Sequence, residues 1–181
     1  MKRILDLIFS LILVLILIVP FLIIGILIKV TSKGPIIHWS KRIGKNNVIF
    51  FMPKFRTMKT NTPHVTTSKL MNPQQWVTSF GKHLRKYSLD EIPQIYSILI
   101  NDMSLVGPRP ALYNEYKLIK IRTKYKIHEC LPGLTGLAQI NGRDNLSLSE
   151  KVSFEIRYQK NKSLVLDIYI LFKTFFYVIR S

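Results

Sequence analysis

The pattern of apolar and polar residues divides the chain into an apolar N-terminal segment and a longer, mixed remainder. Residues 7–28 include no charged side chain. As an α-helix this segment would be about 33 Å long, at about 1.5 Å per residue, which is close to the thickness of a membrane's hydrocarbon core. It is longer than the apolar region of a secretory signal peptide and lacks a small-residue cleavage site. We therefore predict a membrane segment that remains in the mature protein.

Pro20 lies near the middle of this segment and removes one backbone N–H, so we expect a bend there. Membrane-spanning helices tolerate proline, and Pro20 alone favours an ordinary spanning helix. The flanking charges change this balance, because positive residues favour the cytoplasmic side of a membrane. The sequence therefore predicts a re-entrant helix over residues 1–31, ahead of a simple span. The flanking positive residues are Lys2, Arg3, Lys29, Lys33, Lys41, Arg42 and Lys45.

The remainder, residues 32–181, predicts a mostly helical α+β domain with one small β-hairpin. The hairpin strands are IIHW and VIFF, and Gly44 and two asparagines in the intervening GKNN suit the positive φ of a turn. KFRTM follows as a short extended piece. Residues 60–79 are polar, contain two prolines and show no sustained period, so we expect a mobile surface loop.

Apolar residues recur every three or four positions in FGKHLRKY and QIYSILI, which predicts helices there. Residues 111–125 are a further helix candidate, whereas LPGLTGLAQINGRD predicts a loop. Residues 164–179 are largely apolar but contain Asp167 and Lys173. That segment is too short and too charged to span a membrane comfortably, so it predicts an amphipathic interfacial helix or a core helix.

Composition adds a strong positive charge. The chain of 181 residues contains 27 Lys and Arg against 10 Asp and Glu, a formal net charge of +17. Anionic lipid headgroups, phosphates and nucleic acid are the expected partners, and charge alone does not choose among them. Cys130 is the single cysteine, which excludes an internal disulfide and a zinc site built from cysteines.

Two of the few acidic residues, Asp90 and Glu91, are adjacent in SLDEIPQ. Ser88 and Glu91 match the S-x-x-E capping box, which is the simplest explanation of Glu91. Pro93 favours a helix that starts one or two residues later, with both carboxylates at its N-terminal end. Adjacent helical residues point about 100° apart. The pair therefore suits two roles, a nucleophile towards phosphorus and a ligand for a divalent metal.

Several cations could bind phosphate near this pair. Each of them, considered alone, also fits an ordinary solvated surface residue. Arg109 stands between Pro108 and Pro110, which limits its backbone, and the planar arginine fork grips phosphate with two hydrogen bonds. The candidates are Lys54, Arg56, Arg85, Arg109 and Arg143. We expect these basic surroundings to keep Asp90 ionised.

Other motifs are weaker or missing. The four histidines, His38, His64, His83 and His128, show no shared spacing of metal ligands. The chain has no GxxxxGK[ST] loop and no GxGxxG, so neither of these routes to nucleotide binding is supported.

A set of motifs in a fixed order resembles the bacterial sugar transferase family, the monotopic phosphoglycosyl transferases of cell-surface glycan assembly. The resemblance covers nearly the whole chain and corresponds to the minimal catalytic form of these enzymes. The motifs are KR with Asp6 before the apolar segment, then SKGP, KFRTM, SLDEIPQ, NDMSLVGPRP, LPGLTGLAQINGRD and SLVLD.

The resemblance implies an enzyme that transfers a sugar 1-phosphate from a UDP-sugar to polyprenyl phosphate and releases UMP, as the first membrane step of glycan synthesis. It implies Asp90 as a covalent nucleophile and Glu91 as a ligand of Mg²⁺, and it supports the re-entrant helix. The short form and the ALYNEY stretch resemble relatives that use N-acetylated amino sugars, while the residues themselves do not distinguish such a sugar from a plain hexose. Residues 32–181 would form a membrane-associated catalytic domain on the cytoplasmic face of the bacterial inner membrane. Partners would include anionic lipid and downstream glycosyltransferases, and nucleic acid is not expected.

Three positions depart from the family pattern. Val19 stands before Pro20 where serine is usual, Ser40 replaces a common glutamine, and Glu155 replaces a usual aspartate. Two alternatives to the transferase stay open: a basic membrane-tethered module that binds anionic lipid or nucleic acid, and an inactive scaffold of a glycan-assembly complex.

Overall fold

A computed structural model describes residues 1–62 and 72–180. The predicted mobile loop over residues 60–79 falls partly on residues 63–71, which lie outside the described part, as does His64. Just after the gap, residues 73–76 form a 3₁₀ turn, and Val77 pairs with Met58 in an isolated antiparallel bridge.

The described residues form a mostly helical α+β fold with small sheets, which confirms the predicted fold class. The helices are α1 (Lys2–Thr31), α2 (Ser79–Lys86), α3 (Ile95–Leu99), α4 (Tyr116–Lys124), α5 (Leu137–Ile140), α6 (Leu148–Asn161) and α7 (Leu164–Arg180). The strands are β1 (Ile37–Ile43), β2 (Ile49–Phe55), β3 (Ser104–Val106), β4 (Ala111–Leu112) and β5 (Gly133–Thr135).

Helix α1 contains the apolar N-terminal segment. It is the helix that, in the described residues, is long and apolar enough to cross a membrane, with a mean hydropathy of 3.5. Pro20 lies inside α1, and the helix continues past it to Thr31. The proline therefore does not end the helix. The predicted re-entrant path requires that α1 bends while it remains one continuous helix.

Side chains near the N-terminal end of α1 bind it to the rest of the protein. The guanidinium of Arg3 donates hydrogen bonds to the carbonyl oxygens of Ile98 at 2.6 Å and Leu99 at 2.9 Å. These are carbonyls at the C-terminal end of α3, which a cation stabilises. Lys2 forms an ion pair of 2.5 Å with Asp167 on α7.

The C-terminal half of α1 packs on a different part of the body. Ile24 and Ile28 are buried in a cluster with Phe55 at the end of β2 and Leu84 on α2. The body therefore contacts α1 near both of its ends.

The predicted hairpin is confirmed as β1 and β2, which pair antiparallel from Ile37 opposite Phe55 to Ile43 opposite Ile49. Asn46 and Asn47 have φ of 54° and 60°, as the turn chemistry predicts. Gly44 has φ of −98°, so the expectation of positive φ there is wrong.

Strand β4 pairs with the other edge of β1, which corrects the predicted helix over residues 111–125. Ala111 and Leu112 lie opposite Ile43 and Arg42, and the helix begins only at Tyr116. Pairing with β1 keeps residues 111–112 extended, although the local spacing of apolar residues predicted a helix there.

A second sheet joins β3 and β5 in parallel. Strand β5 and helix α5 both lie within LPGLTGLAQINGRD, which corrects the predicted loop there. Gly107 and Gly133 let two backbones meet, because a Cβ on Gly133 would lie 2.1 Å from the Gly107 nitrogen. Gly107 N also donates to Thr135 O at 2.9 Å. These bonds fix the chain immediately before Pro108.

Helix α7 confirms a helix in the C-terminal apolar segment. Ile170 is buried in the main core cluster, whereas Ile168 and Phe172 are exposed. An exposed apolar side of this kind fits the predicted interfacial helix, whose contact with lipid stays a prediction.

Candidate active site

The acidic pair lies on a 3₁₀ helix, Leu89–Gln94, between α2 and α3. Asp90 and Glu91 occupy its first turn, as predicted, but the helix starts directly after Ser88 and contains Pro93, so the later start inferred from Pro93 is wrong. Ser88 stands at the N-cap but has φ of 55°, and its side chain accepts no capping hydrogen bond. The capping box therefore does not explain Glu91.

Glu91 is bound by two cations from separate elements. Lys54 Nζ, from β2, lies 2.8 Å from Glu91 Oε1, and Arg109 Nη2, from the segment after β3, lies 3.0 Å from the same oxygen. Burial alone would raise the pKa of Glu91, but the charges and hydrogen bonds of Lys54 and Arg109 outweigh it and hold that pKa well below its ordinary value. Glu91 is therefore a firmly ionised carboxylate.

Asp90 shifts in the opposite direction. Burial raises the pKa of Asp90; Lys54 is the strongest opposing influence, and the adjacent Glu91 carboxylate adds to the rise. The basic neighbours Lys54, Arg85 and Arg109 do lower the pKa of Asp90, as expected, but the cost of desolvation exceeds their attraction, so the net shift is upward. A buried carboxylate that is poorly solvated is also a better nucleophile once it is ionised.

Arg85 lies on the Asp90 side of the site. Its Nε donates to Thr57 Oγ1 at 2.9 Å, and its charge partly offsets the raised pKa of Asp90. Burial lowers the pKa of Arg85 itself. Thr57 was not predicted as a site residue, although its position in KFRTM, next to two predicted phosphate ligands, was a signal for it.

Lys54 completes the set of cations around the pair. Burial lowers the pKa of Lys54, and the charge of Glu91 opposes that shift. The positive charge of Lys54 is therefore stabilised by an anionic partner, which is Glu91 in this structure.

Arg56 does not lie beside the acidic pair in this structure, and its role as a phosphate ligand stays a prediction. Its guanidinium donates to Ser32 O at 2.9 Å, Ser32 Oγ at 2.8 Å and Lys33 O. The side chain is buried at the C-terminal end of α1 and contacts neither acidic residue. Its position makes Arg56 a residue that holds the end of α1.

Arg143 reaches only the edge of the site. Its Nη2 donates to Ser88 Oγ at 3.2 Å, and its guanidinium lies 5.1 Å from the centre of the Tyr177 ring. It therefore lies beside the start of the acidic 3₁₀ helix, where a bound anion could recruit it.

Arg42 is a site residue that was not predicted. Its Nη1 donates to Pro110 O at 3.1 Å, and burial together with the charge of Arg109 lowers its pKa to about 10. Strand alternation was the available signal, since Arg42 lies on the same face of the hairpin as Lys54. Ser40, on that face too, accepts from Arg42 Nε at 3.0 Å.

The other two departures lie away from the acidic pair. Val19 is exposed on α1. Glu155 is buried on α6 and forms an ion pair with Arg122.

The donor set is compatible with a magnesium site shared with substrate. Among residues 1–62 and 72–180, no group of three or more His, Cys, Asp or Glu side chains could hold a metal on its own. In phosphate-transfer sites, however, Mg²⁺ is usually held by one or two carboxylates together with waters and substrate phosphates. Asp90 and Glu91 supply such carboxylates.

Taken together, the site brings Lys54, Arg85 and Arg109 around a buried carboxylate pair. The cations can neutralise a diphosphate, and Asp90 can approach phosphorus. The arrangement therefore suits the binding of a phosphate or diphosphate group beside two carboxylates.

Comparison with known proteins agrees with this chemistry. A family model described as bacterial sugar transferase matches residues 1–181. The exopolysaccharide production protein ExoY of Sinorhizobium fredii (strain NBRC 101917 / NGR234) is 37% identical over 189 residues, covering 96% of this chain and 83% of that protein.

Two longer relatives have names that describe a reaction. The undecaprenyl-phosphate galactose phosphotransferase of Salmonella typhimurium is 37% identical over 196 residues, covering 99% of this chain and 40% of that protein. The UDP-glucose:undecaprenyl-phosphate glucose-1-phosphate transferase of Klebsiella pneumoniae is 39% identical over 183 residues, covering 97% of this chain and 39% of that protein. The chain thus spans about two fifths of each of these two relatives.

Proposed function

Because the chain belongs to the bacterial sugar transferase family and is an enzyme, we propose that it transfers a sugar 1-phosphate from a UDP-sugar to polyprenyl phosphate and releases UMP. The observation that carries the proposal is the pair of buried Asp90 and partly buried Glu91, with Lys54 and Arg109 both bound to one carboxylate oxygen of Glu91. Relatives named for reactions of this kind support it.

The proposed reaction has two phosphoryl transfers. In the first, a carboxylate oxygen of Asp90 attacks the β-phosphorus of the UDP-sugar, the bond from that phosphorus to the bridging oxygen breaks, and UMP leaves. In the second, a phosphate oxygen of polyprenyl phosphate attacks the same phosphorus and Asp90 leaves as a carboxylate. Lys54, Arg85 and Arg109 reduce the repulsion between the anionic reactants.

The proposed role of Glu91 is to hold Mg²⁺ once substrate has bound. The diphosphate offers new anionic partners to Lys54 and Arg109, so Glu91 becomes available to a hard cation. When bound, Mg²⁺ supplies charge neutralisation at the phosphate oxygens. EDTA is expected to abolish turnover, with activity restored by excess Mg²⁺; full activity in EDTA contradicts a role for the metal.

The proposed location is the cytoplasmic face of the bacterial inner membrane, with a re-entrant α1 and a catalytic domain over residues 32–181. Two observations support it. The body contacts α1 near both ends, through Lys2 and Arg3 and through Ile24 and Ile28. A chain that leaves and returns to the same side accounts for these contacts, whereas a simple span separates the two ends.

The sequence resemblance implies an N-acetylated amino sugar, whereas the two relatives above are named for galactose and glucose. The product is a lipid-linked sugar, so glycosyltransferases that extend such a lipid are the expected downstream partners in exopolysaccharide or capsule synthesis.

The test is a screen of UDP-sugars with undecaprenyl phosphate, measuring UMP released by the purified chain in lipid nanodiscs. UDP-N-acetylglucosamine, UDP-N-acetylgalactosamine, UDP-glucose and UDP-galactose form the first panel. We expect one or more of them to release many UMP per enzyme when undecaprenyl phosphate is present, and no more than about one UMP per enzyme, from the first step, when it is absent. Asp90→Asn is expected to lower the rate at least about 10³-fold, as loss of a nucleophile does.

Lys41→Met is the matched control, because it removes a positive charge from the exposed face of β1. It is expected to keep the wild-type rate. An Asp90→Asn variant that keeps the wild-type rate contradicts the mechanism. If no UDP-sugar releases UMP, the proposed reaction is wrong. The chain would then fit a basic membrane-tethered binding module or an inactive scaffold.

A further inference from the structure

The segment that carries Arg109 is held by its carbonyl groups. Pro108 and Pro110 have no backbone N–H, so this segment cannot donate the regular hydrogen bonds of a β-strand. Each carbonyl oxygen of the three residues accepts a hydrogen bond from a different element instead. The pairs are Gly133 N to Pro108 O at 2.9 Å, Arg122 Nη2 to Arg109 O at 2.9 Å, and Arg42 Nη1 to Pro110 O at 3.1 Å.

The donor to the central carbonyl, Arg122, is itself fixed by Glu155. Arg122 on α4 is 7% exposed and Glu155 on α6 is 2% exposed. Arg122 Nε donates to Glu155 Oε2 at 2.8 Å, and Arg122 Nη2 donates to Glu155 Oε1. Because both carboxylate oxygens are used, the guanidinium plane is set, and Nη2 is directed at Arg109 O.

A buried ion pair is a weak device for stability alone. Desolvation of two charges offsets most of their attraction, and apolar side chains of similar volume often replace such a pair without loss. What this pair adds is a charged donor with a fixed direction. That donor meets the backbone of the residue whose side chain binds Glu91.

We propose that Arg122, oriented by Glu155, is a positioning residue that fixes Arg109 for binding the diphosphate of the nucleotide sugar. The inference rests on the proposed function. Arg122 holds the backbone carbonyl of Arg109, while the guanidinium of Arg109 lies 3.0 Å from Glu91 Oε1. Rotation of the peptide after Arg109 would swing its carbonyl away and displace the side chain from the acidic pair. Arg122 and Glu155 act through Arg109 and do not touch the phosphates.

A purely structural pair between α4 and α6 makes a different prediction. Loss of the Arg122–Glu155 pair would then lower the melting temperature of the protein. Any change in nucleotide affinity of the folded protein would be the same whether or not the Arg109 side chain is present. A positioning role requires that the effect on affinity depends on Arg109. A double-mutant cycle separates the two roles.

The experiment measures UDP affinity by isothermal titration calorimetry with the full chain in nanodiscs. The variants are Arg109→Ala, Arg122→Lys and the double variant. Arg122→Lys keeps a cation beside Glu155 but loses the planar fork that serves both Glu155 and Arg109 O. We expect UDP affinity to fall about 100-fold for Arg109→Ala and about tenfold for Arg122→Lys, as for lost charge-assisted hydrogen bonds. In the Arg109→Ala background, Arg122→Lys is expected to change affinity by less than about twofold.

Controls keep the result interpretable. Arg157→Lys, an exposed arginine on α6, is the matched substitution and is expected to bind UDP like the wild type. If Arg122→Lys lowers the melting temperature enough to unfold the protein, the apolar pair Arg122→Met with Glu155→Leu takes its place, with the same expectation.

Two results overturn the inference alone. One is wild-type UDP affinity for folded Arg122→Lys beside a weakened Arg109→Ala. The other is an equal loss for Arg122→Lys in both backgrounds, which shows that the pair acts on the fold generally. Wild-type affinity for Arg109→Ala, or no UDP binding by the wild type, contradicts the proposed function first and the inference with it.

Discussion

At the scale of single residues, Asp90 and Glu91 are neighbours with opposite electrostatic environments. The pKa of Asp90 is raised by burial, and the pKa of Glu91 is held low by Lys54 and Arg109. Groups whose pKa values are pushed apart take different parts in a reaction. This difference agrees with a nucleophile and a metal ligand more closely than with two equal carboxylates.

Lys54→Met tests this environment through the pH dependence of activity. Lys54 is the strongest influence that lowers the pKa of Asp90, so its loss raises that pKa further. A smaller fraction of Asp90 is then ionised at a given pH. We expect the acid limb of kcat, measured at saturating substrates, to move up by about one pH unit or more.

The matched control for this prediction is Lys41→Met, which removes an equal charge far from the acidic pair. Its acid limb is expected to coincide with that of the wild type. An unshifted acid limb for Lys54→Met would show that Asp90 ionisation does not limit the rate.

At the scale of elements, one sequence pattern gave two outcomes. S-x-x-E occurs at Ser88–Glu91 and at Ser147–Glu150. At Ser147, φ of −61° and ψ of 162° allow the full capping box, and α6 begins there. At Ser88 the left-handed backbone points the hydroxyl away, and Glu91 turns to Lys54 instead. The S-x-x-E pattern does not specify the backbone conformation of its serine, and that conformation decides whether the capping box forms.

The end of α1 is held by Arg56, and a substitution there is expected to affect stability and not catalysis. Arg56→Met removes the donors to Ser32 and Lys33. The expected cost is about 2–4 kcal/mol of folding stability, from the loss of charge-assisted hydrogen bonds in a buried place. Thermal unfolding in detergent measures this, and KM for the UDP-sugar in the folded protein is expected to stay within about twofold of wild type.

Lys54→Met is the comparison for Arg56→Met, since Lys54 is the neighbouring predicted phosphate ligand that does reach Glu91. It is expected to raise KM. If Arg56→Met raises KM as much as Lys54→Met does, Arg56 belongs to the phosphate site after all.

Elements with strong local signals were predictable, and those built by distant pairing were not. The apolar run of α1 and the GKNN turn of the hairpin are local features, and both were found. Strand β4 has two residues, and the parallel pair β3–β5 joins segments about thirty residues apart in sequence. Such short strands acquire their identity from a partner, which single-sequence periodicity does not contain.

The same limit explains the candidate site. Asp90, Glu91 and Arg109 stand in distinctive local motifs and were predicted. Arg42 and Arg122 act through backbone carbonyls of the segment that contains Arg109. Strand alternation places Arg42 on the face of Lys54, but no local motif marks either arginine as a donor to that segment.

At the scale of the whole molecule, the two ends of α1 are expected on the same, cytoplasmic side. The motive is the contact of the body with both ends. A cysteine in an N-terminal tag, or Lys29→Cys, each with Cys130→Ser, is expected to resist a membrane-impermeant maleimide in intact cells. Both cysteines are expected to react after permeabilisation.

Labelling of only one of the two cysteines in intact cells would contradict this topology. Labelling of the tag but not of Lys29→Cys in intact cells would show a helix that spans the membrane. The contacts of Lys2 and Arg3 with the body would then need another explanation.

The most direct test of the account is the intact mass of the enzyme after rapid mixing with its UDP-sugar alone, without polyprenyl phosphate. If Asp90 is the nucleophile, the wild type gains the mass of one sugar phosphate and releases a matching amount of UMP. Asp90→Asn gains nothing, and peptide mapping places the adduct on Asp90 of the wild type. A wild type that transfers sugar phosphate to lipid efficiently but never carries it, beside an active Asp90→Asn, would contradict the central claim and require direct attack by the lipid phosphate.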